Sequence, residues 1–333
     1  NDTKIPSNWQ QTPAMIDPCS SIIWRSKGDN DHSKLIRMLE ALNDYANPME
    51  ELLDTYFDVE NIAYWMAFQL LSGNTDTQSR NMYLYSPQNW NTWYILDWDN
   101  DSMLKRTERK LKQRSDGLSW ERGVSNYWGN VLFRRCLQTE RYRRALDRAV
   151  DAVYAILNTE QINRMVNHYR SIVEPFVWAQ PDVLHAPLTP AQYEIVARAL
   201  PAEIEENYRI YYESYNYPMP FFIAVPEIQD GQLQLSWETS YDFDAEDIYY
   251  TVDLARDYQF QEILLHQSGV ILPEAKTALP AAGQYFVRVR AINESGYTQD
   301  AFDYYVTNTG KQYGMKCFYI QPDGTIAEDV YEE

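Results

Sequence analysis

The sequence predicts a multidomain α+β protein in which a mainly helical part with one short β-hairpin precedes an all-β part. Two observations support this prediction. Over most of residues 33–217, apolar side chains recur at helical spacing. After Pro218, β-prone segments of roughly five to nine residues are separated by turns rich in Gly, Pro and Asp. With 333 residues, the chain is long enough for two domains.

Three helices are predicted before Gly73. Apolar residues share one helix face over about residues 33–45, and Pro48 suits the first turn of a second, short helix. A third helix covers residues 59–71, with Asp58 at its N-cap and Gly73 at its C-terminal end. Because this third helix is apolar on most sides, we expect it to be buried.

A β-hairpin is predicted next, because two short β-prone segments, 82–85 and 93–96, flank a turn at Pro87-Gln88-Asn89. Helical spacing then returns as far as about residue 217. The predicted helices in that stretch cover residues 140–157, 159–177 and 190–212.

Composition excludes several classes of function. The net charge of −19 argues against a protein whose main partner is nucleic acid or an anionic membrane. No apolar run approaches the roughly 18–20 residues of a membrane-spanning helix. The cysteines, Cys19, Cys136 and Cys317, show neither zinc-site nor disulfide-framework spacing, and no dinucleotide-binding glycine motif or P-loop occurs.

The all-β part contains Trp237 in an early strand, Leu279 before a turn, and a Y-x-V-x-V-x-A run that begins at Tyr285. With Asn293 and Gly296, these residues make residues 218–308 resemble a fibronectin type III module. The resemblance implies a two-sheet sandwich with Tyr285 as its tyrosine corner, serving as a spacer or docking domain.

A further turn signal follows the all-β part. Pro322-Asp323-Gly324 predicts a final β-hairpin within residues 309–333.

One pattern of acids and amides is the strongest candidate for a chemical site. Asn81 follows Asp76 by five residues, and Asp97 and Asp99 come directly after the predicted hairpin. Because a hairpin brings its two ends together, we expect these hard oxygen ligands to converge, which suits Mg²⁺ or Mn²⁺ and a nucleotide phosphate better than zinc. Protein kinases use an Asp, an Asn and a metal-binding Asp in this order.

Four short segments surround this pattern within about residues 50–105. They read YFDVEN from Tyr56, GNTD from Gly73, RNMYLY from Arg80 and WYILDWD from Trp93. In this order and spacing they resemble the CotH family, the spore coat protein H-like atypical protein kinases.

The CotH resemblance implies a role for each residue of the pattern. Asp76 would be the catalytic base, Asn81 a metal ligand, and Asp97 with Asp99 the metal-binding D-x-D. It also implies ATP with Mg²⁺ or Mn²⁺ as cofactors, Ser or Thr of a spore coat or surface protein as substrate, and an extracellular location in a bacterium.

The chain departs from the family pattern in two ways. Thr77-Gln78 stands where the family commonly has Trp-Pro, and Asn100-Asp101 follows the D-x-D, which leaves open whether Asp97 or Asp99 is the closer ligand. In addition, a kinase needs an upstream lobe with a phosphate-binding lysine. The lysines before Asp76, which are Lys4, Lys27 and Lys34, lie in no apolar strand. We therefore expect residues 1–217 to be a C-terminal lobe without its nucleotide-binding lobe, inactive alone.

Other interpretations of the same residues stay open. Asp76 would simply form a turn after a helix, and residues 97–101 an exposed acidic loop, in a non-catalytic surface protein that binds through its 27 tyrosines. Residues 102–150 carry 13 Lys and Arg against 5 Asp and Glu. Such a stretch is either a solvated helix face or a binding site, whose ligand would be an acidic substrate or the all-β part of this chain, where acids outnumber bases.

Overall fold

The computed structural model describes residues 31–78, 80–112, 119–308 and 310–329. These residues form two compact units. The helical unit holds the described residues up to 112 together with 130–212, and the sandwich unit holds 119–129 and the residues from 213 onward. Three residues named in the sequence argument, Lys4, Cys19 and Lys27, lie outside the described residues.

The helical unit consists of helices and one two-stranded sheet. In chain order its elements are α1 (Ser33–Asn43), α2 (Met49–Tyr56), α3 (Val59–Ser72), β1 (Met82–Tyr85), β2 (Tyr94–Asp97), α4 (Arg106–Leu111), α5 (Val131–Gln138), α6 (Glu140–Ile156), α7 (Thr159–Val177) and α8 (Pro190–Ser214), the last of which runs on into the sandwich unit. A 3₁₀ turn, Asn100–Ser102, follows β2.

Helix α3 is the buried centre of the helical unit, as its apolar sequence predicts. The Asp58 side chain accepts a hydrogen bond from the backbone N–H of Asn61 at the N-terminus, and Gly73 adopts a left-handed conformation at the C-terminus. A Cβ at Gly73 would come within 2.7 Å of Asn207 Nδ2, so this cap requires glycine. Helix α3 packs against α6, and Trp65 stacks on Phe133 of α5.

The hairpin of β1 and β2 is attached to this helical core through Asn61. The Asn61 Oδ1 accepts from Ile95 N at 2.7 Å, and its Nδ2 donates to Ile95 O at 3.2 Å. In the antiparallel register Met82 lies opposite Asp97, so β2 delivers Asp97 next to the end of the loop that precedes β1.

The sandwich unit contains the remaining strands, all antiparallel within their sheets. They are β3 (Glu227–Gln229), β4 (Gln232–Ser236), β5 (Ile248–Ala255), β6 (Ile263–Val270), β7 (Glu274–Ala278), β8 (Gly283–Asn293), β9 (Thr298–Asp300), β10 (Tyr304–Thr307), β11 (Gly310–Tyr313), β12 (Met315–Ile320) and β13 (Ile326–Glu328).

Two of these sheets enclose the core of the unit. One has the order β3-β4-β7 and the other β13-β12-β8-β5-β6, with β9 also paired to β8. Counted within this unit, the first, second and fifth strands (β3, β4 and β7) form one sheet. The third and sixth strands (β5 and β8) lie in the other sheet, and this is the division found in immunoglobulin-like sandwiches. Side chains from both sheets, such as Leu235 of β4 and Val287 of β8, share one buried core.

Tyr285 confirms the fibronectin-like prediction at the level of one contact. Its hydroxyl donates to the carbonyl oxygen of Ala281 over 2.7 Å, and the residue is fully buried. This bond to the backbone just upstream defines a tyrosine corner. The predicted fold class, a helical lobe with a hairpin followed by a fibronectin type III-like sandwich, is therefore the observed one.

After residue 308, β11 pairs with β10 in a separate two-stranded sheet, whereas β12 and β13 extend the sheet that contains β8. Strand β12 pairs with β8 along its length, and β13 pairs with β12 across the Pro322-Asp323-Gly324 turn. Residues 119–129 also pack on this unit, because Trp120 contacts Phe302 and Trp128 contacts Tyr241.

Candidate active site

Asp76 and Asn81 meet in the loop between α3 and β1. Asn81 donates from Nδ2 to Asp76 Oδ2 at 2.8 Å, and Arg80 donates from Nε to Asp76 Oδ1 at 2.8 Å. Asn81 has a φ of 56°, in the left-handed region that asparagine tolerates better than most residues. The loop thereby turns sharply just before β1 and presents both side chains together.

Asp97 occupies the last position of β2. Its Oδ1 accepts a hydrogen bond of 2.8 Å from Gln69 Nε2 of α3. Although the residue as a whole is exposed, partial desolvation of its carboxyl group raises the pKa of Asp97, and the bond from Gln69 lowers it by less. The carboxylate therefore lies at the boundary between the packed helix and solvent.

A chain of amide side chains connects the two halves of the site. Asn74 donates from Nδ2 to Gln69 Oε1 at 3.0 Å, and its Oδ1 accepts from the backbone N–H of Asp76 at 3.2 Å. Asn100 Oδ1 accepts from Gln69 and from Asn74, each at 3.2 Å. The structure thus brings Asp76, Asn81 and Asp97 into one hydrogen-bonded network.

Asp99 is placed differently from the other three predicted residues. It is exposed, has a φ of 56° and precedes the 3₁₀ turn without capping it through its side chain. The D-x-D thus divides into an Asp97 held by α3 and an Asp99 that faces solvent.

Sequence reasoning missed the three amides that join the network, namely Gln69, Asn74 and Asn100. A signal existed for Gln69, because it is the one polar residue in the apolar stretch 62–71 and is fully buried. A buried amide costs free energy unless it finds partners, so such a residue indicates a polar network nearby.

The donor set fits a hard divalent cation in its chemistry. Asp97 and Asp99 offer carboxylate oxygens, and Asn81, which donates through Nδ2, can offer its Oδ1. Within the part of the chain that the structure describes, no group of three or more His, Cys, Asp or Glu side chains is arranged to hold a metal. A cation here would therefore need the amide of Asn81 and oxygens from outside the protein, such as those of a phosphate.

A basic cavity lies beside the loop. Arg109 of α4 donates from Nη2 to Thr75 Oγ1 at 3.3 Å, directly before Asp76. The cavity, of about 190 Å³, is lined by Ser102, Lys105, Glu108, Arg109 and Lys112. Glu108 pairs with Lys105 at 3.4 Å and with Lys112 at 2.5 Å, so the three cations outnumber the one acid.

The sequence profile of the CotH kinase protein family matches residues 20–211, which is more than half of the chain. The chain therefore belongs to the CotH kinase protein family. Membership of a kinase-like family implies, in general, the use of ATP and a divalent metal.

Comparisons with other proteins add little to this assignment. No curated protein sequence matches the chain. Among solved structures, a Fn3-like protein from Clostridium thermocellum matches at 12% identity over 25% of this chain and 80% of its own, with a TM-score of 0.19. The twitchin kinase region from C. elegans matches at 20% identity over 28% of this chain and 19% of its own, with a TM-score of 0.20.

A third solved structure, surface layer protein SbsC, domains 1–6, matches at 10% identity over 94% of this chain and 41% of its own, with a TM-score of 0.16. All three TM-scores are low, so the sandwich assignment rests on the strand order described above. Of the helices in the described ranges, none has the length and apolar character needed to cross a bilayer.

Proposed function

We propose that this chain is part of a protein kinase that transfers the terminal phosphoryl group of ATP to a Ser or Thr hydroxyl of a spore coat or cell-surface protein. One observation carries the proposal: a single hydrogen-bonded network joins Asp76, Asn81 and Asp97 at the junction of α3 and the hairpin. Phosphoryl transfer depends mainly on positioning and electrostatics, which such a network supplies.

Asp76 is the proposed catalytic base. Its two oxygens accept from Arg80 and Asn81, which fixes the plane of the carboxylate that would accept the proton of the substrate hydroxyl. Asn81, Asp97 and Asp99 are the proposed ligands of Mg²⁺ or Mn²⁺. When bound, the metal neutralises charge on the ATP phosphates.

Gln69 and Asn74 are positioning residues in this proposal. They contact neither hydroxyl nor phosphate, but through hydrogen bonds of 2.8 and 3.2 Å they set where Asp97 and the backbone of Asp76 lie. Both are buried, so the site is positioned by the core of the helical unit rather than by a solvated loop.

Phosphate transfer also needs a lobe that holds the nucleotide. Of the lysines before Asp76, the one that lies within the described residues is Lys34, and it belongs to helix α1 rather than to a strand. We therefore propose that residues 1–217 act as the C-terminal lobe and that residues 1–333 alone transfer no phosphate. The sandwich, assigned to residues 218–308, and the hairpin of 309–333 would hold the enzyme near its protein substrate, on a bacterial surface or in a spore coat.

A second candidate function is a non-catalytic binding protein of the cell surface or spore coat. The hairpin favours it, because Tyr83, Tyr85, Trp90 and Trp98 are exposed to between 49% and 70%. Exposed aromatic side chains of this number are typical of a recognition surface. In that case Asp76, Asp97 and Asp99 would bind no metal.

Metal binding separates the two candidates. Titration of residues 1–333 with Mn²⁺, followed by electron paramagnetic resonance, should show weak binding that strengthens when ATP is added. Asp97→Asn keeps an oxygen for Gln69 but removes the charge, and should abolish that binding, whereas Asp101→Asn, an exposed acid four residues on, should not. Absence of binding in the unmodified chain would favour the non-catalytic protein.

A further inference from the structure

The basic cavity beside the loop of Asp76 has no role in the function proposed above. Its described side chains include three cations and one carboxylate, that of Glu108. Glu108 forms its ion pairs with Lys105 and Lys112, on either side of Arg109 in the sequence. The described lining therefore carries a surplus of two positive charges, and the carboxylate of the cavity pairs with the lysines rather than with Arg109.

The cavity is built on a backbone that is anchored to the rest of the helical unit. Leu104 N donates to the carbonyl oxygen of Ser72, at the end of α3, over 2.8 Å. The buried Glu203 of α8 accepts from the backbone N–H groups of Arg106 and Thr107 at 3.2 and 2.7 Å. Because Glu203 already binds these N–H groups at the start of α4, an anion in the cavity would be held by side chains, whose backbone is fixed before the anion arrives.

Arg109 connects the cavity to the proposed catalytic base. Its Nη2 donates to Thr75 Oγ1 at 3.3 Å, and Thr75 directly precedes Asp76. Consecutive Cα atoms are about 3.8 Å apart, so an anion bound by Arg109 would lie on the order of 10 Å from a hydroxyl at Asp76. An extended peptide covers that distance in about three residues.

We propose that the basic cavity binds a phosphate group carried by the protein substrate, on a Ser or Thr about three residues from the hydroxyl that is to be phosphorylated. The surplus of two positive charges matches the roughly −1.5 to −2 of a phosphate monoester better than the single charge of Asp or Glu. A forked guanidinium between two lysines also suits the three acceptor oxygens of a phosphate.

The inference rests on the proposed function and narrows it to one class of substrate. The acceptor protein would be one that an earlier phosphoryl transfer, by this enzyme or by another kinase, has already modified. Each new phosphate could then direct the next transfer along a segment rich in Ser or Thr.

Fluorescence anisotropy on residues 1–333, without ATP or metal, tests the inference. The probe is a short fluorescein-labelled peptide of Gly and Ala that carries one Ser and, three residues away, one phosphoserine. Matched probes carry Ser or Glu in place of the phosphoserine. We expect the phosphoserine probe to bind about tenfold or more tightly than the Ser probe, with the Glu probe between them, and its binding to weaken as NaCl is added.

Substitutions assign this binding to the cavity. Arg109→Gln and Lys105→Gln should each weaken binding of the phosphoserine probe about tenfold, with an unchanged circular dichroism spectrum. Arg148→Gln removes the same charge from an exposed residue of α6 outside the cavity and should bind like the parent. Equal affinities for the phosphoserine and Ser probes, or a preference that survives both cavity substitutions, would overturn the inference.

The Mn²⁺ titration described above fails or succeeds independently of this assay. If Mn²⁺–ATP does not bind but the phosphoserine probe does, the kinase proposal is wrong and the cavity is a phosphopeptide site of a non-catalytic protein. If Mn²⁺–ATP binds and the probe does not, the inference alone is wrong. Arg109→Gln should leave Mn²⁺–ATP binding unchanged, and an equal loss of Mn²⁺–ATP and probe binding in this variant would assign the cavity to the nucleotide instead.

Discussion

Gln69 of α3 and Asp97 of β2 are joined by a hydrogen bond of 2.8 Å from Nε2 to Oδ1. Gln69 is completely buried in the central helix of its unit, whereas Asp97 is an exposed residue at the end of a short strand. The carboxylate that is proposed to hold a metal is therefore oriented by a fully buried side chain of α3.

The first prediction follows from this bond. Gln69→Leu removes one hydrogen bond each from Asp97, Asn74 and Asn100 and places an apolar side chain next to their polar groups. We expect the free energy of unfolding of the helical unit to fall by about 1–3 kcal/mol. Urea denaturation followed by tryptophan fluorescence measures it. Gln88→Leu, in the exposed hairpin turn, is the control and should change stability by less than about 0.5 kcal/mol.

The second prediction distinguishes the role of the Asn81 side-chain amide from that of its left-handed backbone conformation. Glycine adopts the φ of 56° at this position readily, so Asn81→Gly should fold as well as the parent while losing the bond to Asp76 and the proposed ligand. We expect Mn²⁺–ATP binding, measured by calorimetry, to weaken at least tenfold. If Asn81→Gly binds as tightly as the parent, Asn81 serves the turn only and is not a ligand.

Much of the helical unit could be predicted because each signal is local. The Asp58 cap, the left-handed Gly73 and the apolar face of α3 depend on residues within one or two turns of each other. The convergence of Asp76, Asn81 and Asp97 followed from the geometry of a hairpin. The network behind them could not be predicted, because Gln69 and Asn100 are 31 residues apart in sequence and meet only after α3 has packed beneath β2.

The sandwich shows the same limit at a larger scale. Tyr285 and its bond to Ala281 span four residues and could be read from the Y-x-V-x-V-x-A pattern. The pairing of β12 with β8 could not be predicted from the sequence. Met315 and Arg288 are paired in the sheet, but the hairpin of β10 and β11 lies between them in the chain. Sequence patterns define a strand, but long-range packing decides which strand lies next to it.

The third prediction concerns the tyrosine corner. Tyr285→Phe keeps the buried ring but leaves the carbonyl of Ala281 without its donor, so the sandwich unit should lose about 1–2 kcal/mol of stability. Guanidinium denaturation followed by far-ultraviolet circular dichroism measures the loss. Tyr249→Phe, on the neighbouring strand β5 and only partly buried, is the matched control. Equal midpoints for the two variants would show that the corner bond contributes nothing.

The fourth prediction is a pH dependence that arises from Asp253. This buried residue of β5 accepts from His266 Nδ1 at 2.7 Å and from Arg288 Nη2 at 2.7 Å, on the strands at either side. Desolvation raises the pKa of Asp253, but the hydrogen bonds and the electrostatic attraction of His266 and Arg288 together outweigh it, so the pKa lies below its ordinary value.

A carboxyl group whose pKa is lower in the folded than in the unfolded chain stabilises the fold above its unfolded pKa of about 3.9, and that contribution disappears as the pH falls through the folded value. Asp253→Asn removes the contribution at every pH. The free energy of unfolding of this variant should therefore be about 1–3 kcal/mol lower than that of the parent at pH 7, and the difference should shrink below about pH 4. Urea denaturation of both chains from pH 3 to pH 8 measures the difference, with the exposed Asp230→Asn as control. A deficit that is the same at pH 3 and pH 7 would mean that Asp253 acts through packing and not through its charge.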